Sequence, residues 1–162
     1  MERSEQPGEE AQSVYAQGEG FVFDPARAAK GMGRHGHGGW LGLNYHAHGE
    51  GWFELELPWR EELAGLADGG VLASGPIISL MDNATSMAVW TLAKRVTPHA
   101  TLDLRVDYMR AAVPGRTVIG HGECYKLTRT ISFIRGIAHD GDPDDPVAHV
   151  TGTFMATHGT YL

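Results

Sequence analysis

The chain contains a single cysteine, Cys124, among its 162 residues. One cysteine excludes an intramolecular disulfide framework and a cysteine-rich zinc site. A lone cysteine also fits a reducing compartment, and we therefore expect a cytoplasmic protein.

Long apolar runs and an excess of positive charge are also lacking. No apolar run reaches the ~18 residues that a membrane span needs, so we expect no membrane partner. The first residues lack a basic start followed by an apolar stretch, so we expect no signal peptide. The chain has thirteen Lys and Arg residues and twenty Asp and Glu residues, which gives a formal net charge of −7. This acidic balance argues against a nucleic-acid partner.

The remaining composition describes a globular protein. Apolar residues make up 42% of the chain and charged residues 20%, which at this length is enough for one sizeable core. Residues 1–20 are polar and rich in Gly, Glu and Gln. We expect them to be a disordered tail, followed by a single domain over residues 21–162.

The segment from Gly75 to Trp90, GPIISLMDNATSMAVW, carries the strongest signal. Its apolar residues surround the helical axis on nearly all sides, a pattern that predicts a buried helix. Asp82 lies in the middle of this pattern. A carboxylate there is costly unless it is paired or hydrogen-bonded. Asp82 is therefore either a structural partner or a catalytic group.

Glycine and proline predict where helices begin and end. Gly75 is the expected cap of the central helix and Pro76 its first residue, and the helix is expected to continue to about Lys94 and Arg95. Asp24 and Pro25 predict a second, short helix near the start of the domain. The glycine-rich residues 31–39 are interpreted as a loop.

Alternating apolar residues predict a sheet on both sides of the central helix. In residues 101–109, Leu102 and Leu104 are predicted to face one way, and Thr101 and Asp103 the other. Short links imply antiparallel pairing. We therefore predict an α+β fold, the hotdog arrangement, in which a curved antiparallel sheet wraps around one long helix. The predicted strands are residues 40–48, 52–57, 101–109, 117–127, 131–139 and 147–157.

Over residues 42–157 the chain resembles the PaaI-like acyl-CoA thioesterases of the hotdog superfamily. The order and spacing of four stretches carry the resemblance: GGVLASGPIISLMDNATSMAVW, TLDLRVDYMRAAVPGR, GECYKLTRTISFIRGIAHD and PVAHVTGTFMA. The resemblance implies hydrolysis of an acyl-CoA thioester to a free acid and coenzyme A. It implies no cofactor apart from the coenzyme A of the substrate. It also implies a homodimer, or a dimer of dimers forming a homotetramer, with sites between subunits.

The resemblance assigns roles to four residues. It makes Asp82 the base or nucleophile, Gly75 and Ser74 the source of the oxyanion amide, and Thr101 the residue that orients the carboxylate or the water. The chain departs from the family where many members have His-Gly-Gly before the helix, because Ala73 occupies the histidine position. The asparagine of the family falls near Ala67. These two side-chain helpers are absent.

Three further residues are expected to bind substrate. Asn83 adjoins the carboxylate, and Arg110 and Arg129 could contact the phosphates of coenzyme A, since the planar guanidinium binds phosphate well. Arg129 matches the region of the family that contacts the nucleotide.

Other interpretations stay open. A hotdog hydratase or dehydratase needs a histidine beside the carboxylate, and Ala73 removes the obvious candidate. A non-catalytic hotdog protein that binds or senses acyl-CoA is the main alternative. Two His-x-His pairs, at residues 35 and 37 and at residues 46 and 48, invite a metal interpretation. Since no acidic partner stands at a suitable spacing, we expect no metal site.

Overall fold

The computed structural model describes residues 23–65 and 69–162. The predicted tail, residues 1–20, lies outside the described residues, as does Ala67.

Within the described residues, two helices precede the sheet. Helix α1 spans Pro25–Met32, and the Asp24 side chain caps it by accepting from the Arg27 amide at 3.1 Å, as predicted. Helix α2 spans Gly36–Leu41. The predictions of a loop over residues 31–39 and of a strand from residue 40 were therefore wrong in part. The buried Leu41 anchors α2, and Gly42 ends it in the left-handed conformation that glycine readily adopts.

Six strands form one antiparallel sheet, in the spatial order β1-β2-β4-β5-β6-β3. All five pairings are antiparallel, as predicted. Strand β3 lies at one edge of the sheet and β1 at the other. A single 3-10 turn, Glu61–Leu63, follows β2. The strands are β1 (Asn44–Gly49), β2 (Trp52–Leu57), β3 (His99–Tyr108), β4 (Val118–Leu127), β5 (Ile131–His139) and β6 (Ala148–Ala156).

The central helix, α3, spans Ser74–Ala93 and packs against one face of the sheet. Its cap is Ala73, so the helix begins two residues before the predicted start. Pro76 did not mark the boundary because the first four helical amides have no partner within the helix, and a missing N–H costs nothing there. Across the described residues, no helix is both long and apolar enough to cross a membrane.

Glycines in β4 let the helix approach the sheet closely. A Cβ atom on Gly122 would lie 2.6 Å from the backbone nitrogen of Thr85, and one on Gly120 would lie 2.7 Å from Cγ of Leu80. Both distances are too short for a real contact. Glycine at these two positions therefore permits the close approach of α3 to β4.

The sheet contains three β-bulges, and those in β3 and β1 change the orientation of predicted site residues. In the β3–β6 pairing Thr101 opposes Phe154 and Asp103 opposes Thr153, so Leu102 is an extra residue. One extra residue reverses the alternation of faces beyond it. Thr101 therefore lies on the same face as Leu104, and the prediction that it faces away was wrong. Leu102 is left 53% exposed.

The second bulge lies in β1, where His46 is the extra residue. His46 contacts Glu56 on the outer face of the sheet, at 2.6 Å. His48 stacks on the buried Phe53 on the inner face. The two histidines of this His-x-His pair thus point to opposite sides of the sheet and do not converge on one ion.

Candidate active site

Helix α3 carries a polar stripe on the side that the sheet does not cover. We define the stripe as Gly75, Ser79, Asp82 and Ser86, whose spacings of four, three and four residues place them above one another on one helical face. Gly75 is exposed and the other three residues are half-buried, whereas the opposite face of the helix is fully buried. The stripe is therefore the part of the central helix that can meet a ligand or another chain.

Asp82 is held by the strand at the edge of the sheet. The Thr101 hydroxyl donates to Oδ1 of Asp82 at 2.8 Å. The bulge at Leu102 makes this contact possible, because without it the Thr101 side chain would point to the outer face. Asp82 is half-buried in the single chain rather than fully buried as the helical pattern suggested. Its second carboxylate oxygen has no hydrogen-bond partner within residues 23–65 and 69–162.

The start of α3 presents two free amides. Ser74 and Gly75 are the first two helical residues, so their N–H groups have no acceptor within the helix. No other acceptor reaches either amide in the described part of the chain. The hydroxyl of Tyr108, at the end of β3, donates to the Ser74 carbonyl at 3.1 Å and holds this turn in place. Two adjacent amides at the positive end of a helix form a donor pair suited to an oxyanion.

Two cavities flank this helix start. The first, of about 310 Å³, lies between α3 and the end of β3 and is lined mainly by apolar side chains together with Ser74 and Tyr108. The second, of about 280 Å³, lies between α2 and α3 and includes Trp40, Ala73 and Gly75 in its wall. The free amides therefore stand between two cavities.

One chain does not bring the amides and the carboxylate together. Asp82 follows Gly75 by seven positions in a continuous helix, which separates their Cα atoms by about 10 Å along the axis. An aspartate side chain bridges only a small part of that distance, whereas reacting atoms must approach to ~3–3.5 Å. The predicted catalytic residues therefore form two half-sites on one chain.

A half-buried histidine supports the far end of the stripe. Nε2 of His99 lies 2.7 Å from Oγ of Ser86, and its ring packs against Trp90 and Phe154. Burial lowers the pKa of His99 to about 4. His99 is consequently neutral near pH 7 and acts as an uncharged support of the helix.

Another histidine contacts the stripe from α2. Nε2 of His37 lies 3.1 Å from Oγ of Ser79.

Ser79 and Ser86 were not predicted as site residues, although their helical spacing from Asp82 could have indicated them. Nothing in the sequence predicted contacts from His37 or His99, because neither histidine has a fixed spacing to its partner.

Arg110 is engaged in a structural ion pair. Its guanidinium donates twice to the Asp140 carboxylate, at 2.7 and 2.9 Å, and also to the Asp145 carboxylate and to the carbonyls of Asp145 and Ala111. All five of its N–H groups are thereby used. Arg110 lowers the pKa of the Asp140 carboxyl to about 2. Binding a phosphate through Arg110 would require these contacts to break.

The other two expected substrate contacts differ in availability. The Asn83 amide donates to the Ser79 carbonyl at 2.7 Å, a bond within the helix. The Arg129 side chain is exposed, and none of the ion pairs among the described residues includes it. Of the two arginines expected to bind substrate, Arg129 is therefore the one whose side chain is free to contact a phosphate.

The structure offers no alternative chemistry at Cys124. This residue is buried, and desolvation raises the pKa of its thiol to about 11. The thiolate that a nucleophilic cysteine requires is thus disfavoured. Among the described residues, no group of three or more His, Cys, Asp or Glu side chains is arranged to hold a metal ion.

Comparison with known proteins identifies the family. A sequence model of the thioesterase superfamily matches residues 69–147, which include both half-sites. A Pseudomonas aeruginosa protein of known structure is 37% identical, with a TM-score of 0.72 over 82% of this chain and 97% of that one. No curated protein matches this chain. The chain belongs to the thioesterase superfamily.

More distant structures share the fold. Zebrafish thioesterase superfamily member 2 is 19% identical, with a TM-score of 0.70 over 81% of this chain and 94% of that one. The PaaI protein of the Escherichia coli phenylacetic acid degradation operon is 16% identical, with a TM-score of 0.64 over 75% and 84%. The predicted hotdog fold and the resemblance to PaaI-like proteins are confirmed.

Proposed function

We propose that this protein hydrolyses an acyl-CoA thioester to a carboxylic acid and coenzyme A. The observation that carries the proposal is the pair of half-sites on α3, one with a threonine-bound carboxylate and one with two free helix-start amides. Thioester hydrolysis needs both functions, a base or nucleophile and a donor for the carbonyl oxygen. Membership of the thioesterase superfamily supports the same reaction class.

The proposed reaction begins with the Asp82 carboxylate. Acting as base, it takes a proton from a water molecule whose oxygen bonds to the thioester carbon. Acting as nucleophile, it bonds to that carbon itself, and water then hydrolyses the resulting anhydride. In both routes negative charge develops on the carbonyl oxygen, where the Ser74 and Gly75 amides stabilise it. As this charge returns to the carbonyl carbon the C–S bond breaks, and in the nucleophilic route this is the step that forms the anhydride. Coenzyme A leaves with the electron pair and gains a proton.

The two half-sites imply a homodimer. Because about 10 Å of helix separates Gly75 from Asp82, we propose that the amides of one subunit face the carboxylate of its partner. Strand β3 leaves one edge of the sheet open in the single chain, and its Leu102 is 53% exposed. An open edge presents unpaired backbone N–H and C=O groups, which favours pairing with a second copy. Pairing of two such dimers into a tetramer is part of the same expectation.

The two cavities suggest how the substrate lies. An acyl-CoA thioester is a linear chain with its reactive carbonyl between the acyl group and the pantetheine arm. A pair of amides between two cavities can hold that carbonyl while each arm occupies one cavity. Arg129 is then our candidate for a contact with a phosphate of coenzyme A. The proposed chemistry uses protein groups and water, without a further cofactor, and we place it in the cytoplasm.

The test is product formation from a panel of aliphatic and aromatic acyl-CoA esters, followed by chromatography. Asp82→Asn keeps the shape of the side chain but removes its charge, and we expect it to lose turnover while staying folded. Thr101→Val keeps the β-branched shape and should lower turnover less severely. The outer-face variant Asp103→Asn is a matched control and should behave as the parent.

A second possible outcome defines the alternative function. If the parent binds acyl-CoA esters but hydrolyses none of the panel, the protein is an acyl-CoA-binding or ligand-sensing member of the family, and the proposal is wrong. Stability separates the roles of Asp82. If Asp82 is purely structural, Asp82→Asn should lower the free energy of unfolding by about 1–3 kcal/mol. A catalytic carboxylate should be replaceable with no loss of stability.

A further inference from the structure

Helix α2 places an imidazole at the start of the central helix. Nε2 of His37 lies 3.1 Å from Oγ of Ser79, across 42 positions of the chain. The His37 ring is stacked on Trp40, with ring centroids 6.0 Å apart and planes inclined by 16°. The Trp40 carbonyl in turn accepts a hydrogen bond from Arg60 at 2.5 Å. His37 is exposed but is held by contacts on two sides.

His37 belongs to the half-site that carries the amides. His37, Ser79 and Gly75 all line the cavity of about 280 Å³ between α2 and α3. Ala73, the cap of α3, also lines this cavity, but its side chain is a methyl group and cannot donate a hydrogen bond. Glu62 also lines this cavity, but an ionised carboxylate only accepts hydrogen bonds and cannot stabilise an oxyanion. The Trp40 indole and the Ser79 hydroxyl are the other possible donors in this wall. The imidazole is singled out because both of these residues contact it and hold it in place.

We propose that His37 contacts the substrate and is a third donor to the thioester carbonyl oxygen. In the proposed tautomer Nε2 accepts a hydrogen bond from the Ser79 hydroxyl and Nδ1 carries the ring proton. The Nδ1–H then donates to the carbonyl oxygen together with the Gly75 amide. No proton is transferred in this role. The inference rests on the proposed function, because it assigns a residue to the same reaction.

The kinetic test compares three variants. Removal of one oxyanion donor typically lowers kcat by ~10²–10³-fold, so His37→Ala should lower kcat and kcat/KM together by about that factor. His37→Gln keeps a side-chain N–H and should recover part of the loss. His35→Ala is the matched control, since His35 is exposed, precedes α2 and makes no side-chain capping bond. It should leave the kinetics unchanged.

Equal activity of His37→Ala and the parent would overturn the inference. A second outcome would also overturn it: His37→Ala loses activity, thermal denaturation shows that the variant is unfolded, and His37→Gln does not restore activity. His37 would then only hold α2 against α3.

A binding measurement separates this inference from the proposed function. The probe is S-acetonyl coenzyme A, a ketone that keeps a carbonyl but has no thioester bond to hydrolyse. In protein labelled with ¹⁵N-histidine, binding of this probe should change the NMR chemical shift of the protonated ring nitrogen of His37 and leave the shifts of His35 unchanged. Binding without any change at His37 would overturn the inference alone. Absence of binding, together with absence of turnover, would overturn the proposed function and this inference with it.

Discussion

Subunit complementation tests whether each active site combines two chains. The Gly75 amide and the Asp82 carboxylate stand about 10 Å apart along one helix, so a single chain does not supply both to one carbonyl. Asp82→Asn removes the carboxylate half-site. Gly75→Pro removes one of the two amides of the other half-site, and loss of one oxyanion donor typically lowers kcat by ~10²–10³-fold. Proline is tolerated in the first helical turn, and a Cβ atom on Gly75 would meet nothing within 4 Å.

The magnitude follows from two-fold symmetry. If each site takes its amide from one subunit and its carboxylate from the other, a 1:1 mixture of the two variants has an intact amide in half of the sites and, independently, an intact carboxylate in half. About a quarter of the sites are then complete. If both groups come from one chain, no site is complete.

The assay is turnover after the two purified variants are unfolded together, mixed 1:1 and refolded. Each variant alone should be nearly inactive, and parent refolded 1:1 with Asp82→Asn should give about half of the parental activity, which verifies that refolding recovers active sites. Native mass spectrometry of the mixture of the two variants should show the two homodimers and the mixed dimer in a ratio of about 1:2:1, which verifies random association. Recovery of about a quarter of the parental activity is the expected result for the mixture. Activity no higher than that of the separate variants, with the control mixture behaving as stated, would refute the two-chain site.

Three further predictions concern stability. Arg110→Ala leaves the Asp140 side chain, 2% exposed, without its ion pair and should lower the free energy of unfolding by about 3–5 kcal/mol in urea; a loss under 1 kcal/mol would contradict a structural clamp. Gly122→Ala drives a Cβ into the backbone of Thr85 and should cost roughly 1–3 kcal/mol, and an unchanged melting temperature would show that the helix moves freely. The pKa of His99 is lowered from 6.5 to about 4, so the unfolded state binds the extra proton and stability should fall as pH drops from 6.5 towards 4. His99→Gln should flatten that part of the stability profile, and an equal slope in both proteins would contradict the burial of a neutral ring.

The extent of the fold was predictable from local pattern. Alternation of apolar residues gave β2 and β5 with their observed bounds, and the continuous apolar segment gave the central helix. These features depend on the burial of nearby residues in sequence, which periodicity records directly. The start of α3 was missed because Pro76 is compatible with several positions in a first turn. Helix α2 was missed because glycine-rich residues carry little helical signal.

The site was predictable only in part. Asp82 was visible as a carboxylate within an apolar helix, and the Asp82–Thr101 contact was expected from the resemblance. The face of Thr101 was predicted wrongly, because the prediction assumed regular alternation along the strand. One extra residue at a bulge reverses that alternation. The ion pair that engages Arg110 joins positions 30 residues apart, a pairing to which no local pattern corresponds.

The sequence by itself determined that a long buried helix carries one carboxylate and that strands surround it, since burial and periodicity are local properties of the chain. Only the tertiary structure decided which polar groups meet that helix. Thr101 reaches Asp82 because of a bulge, His37 and His99 reach Ser79 and Ser86 from distant segments, and the rigid rise of the helix keeps amide and carboxylate apart. Contacts between distant segments depend on register and packing, and these are set by the whole fold.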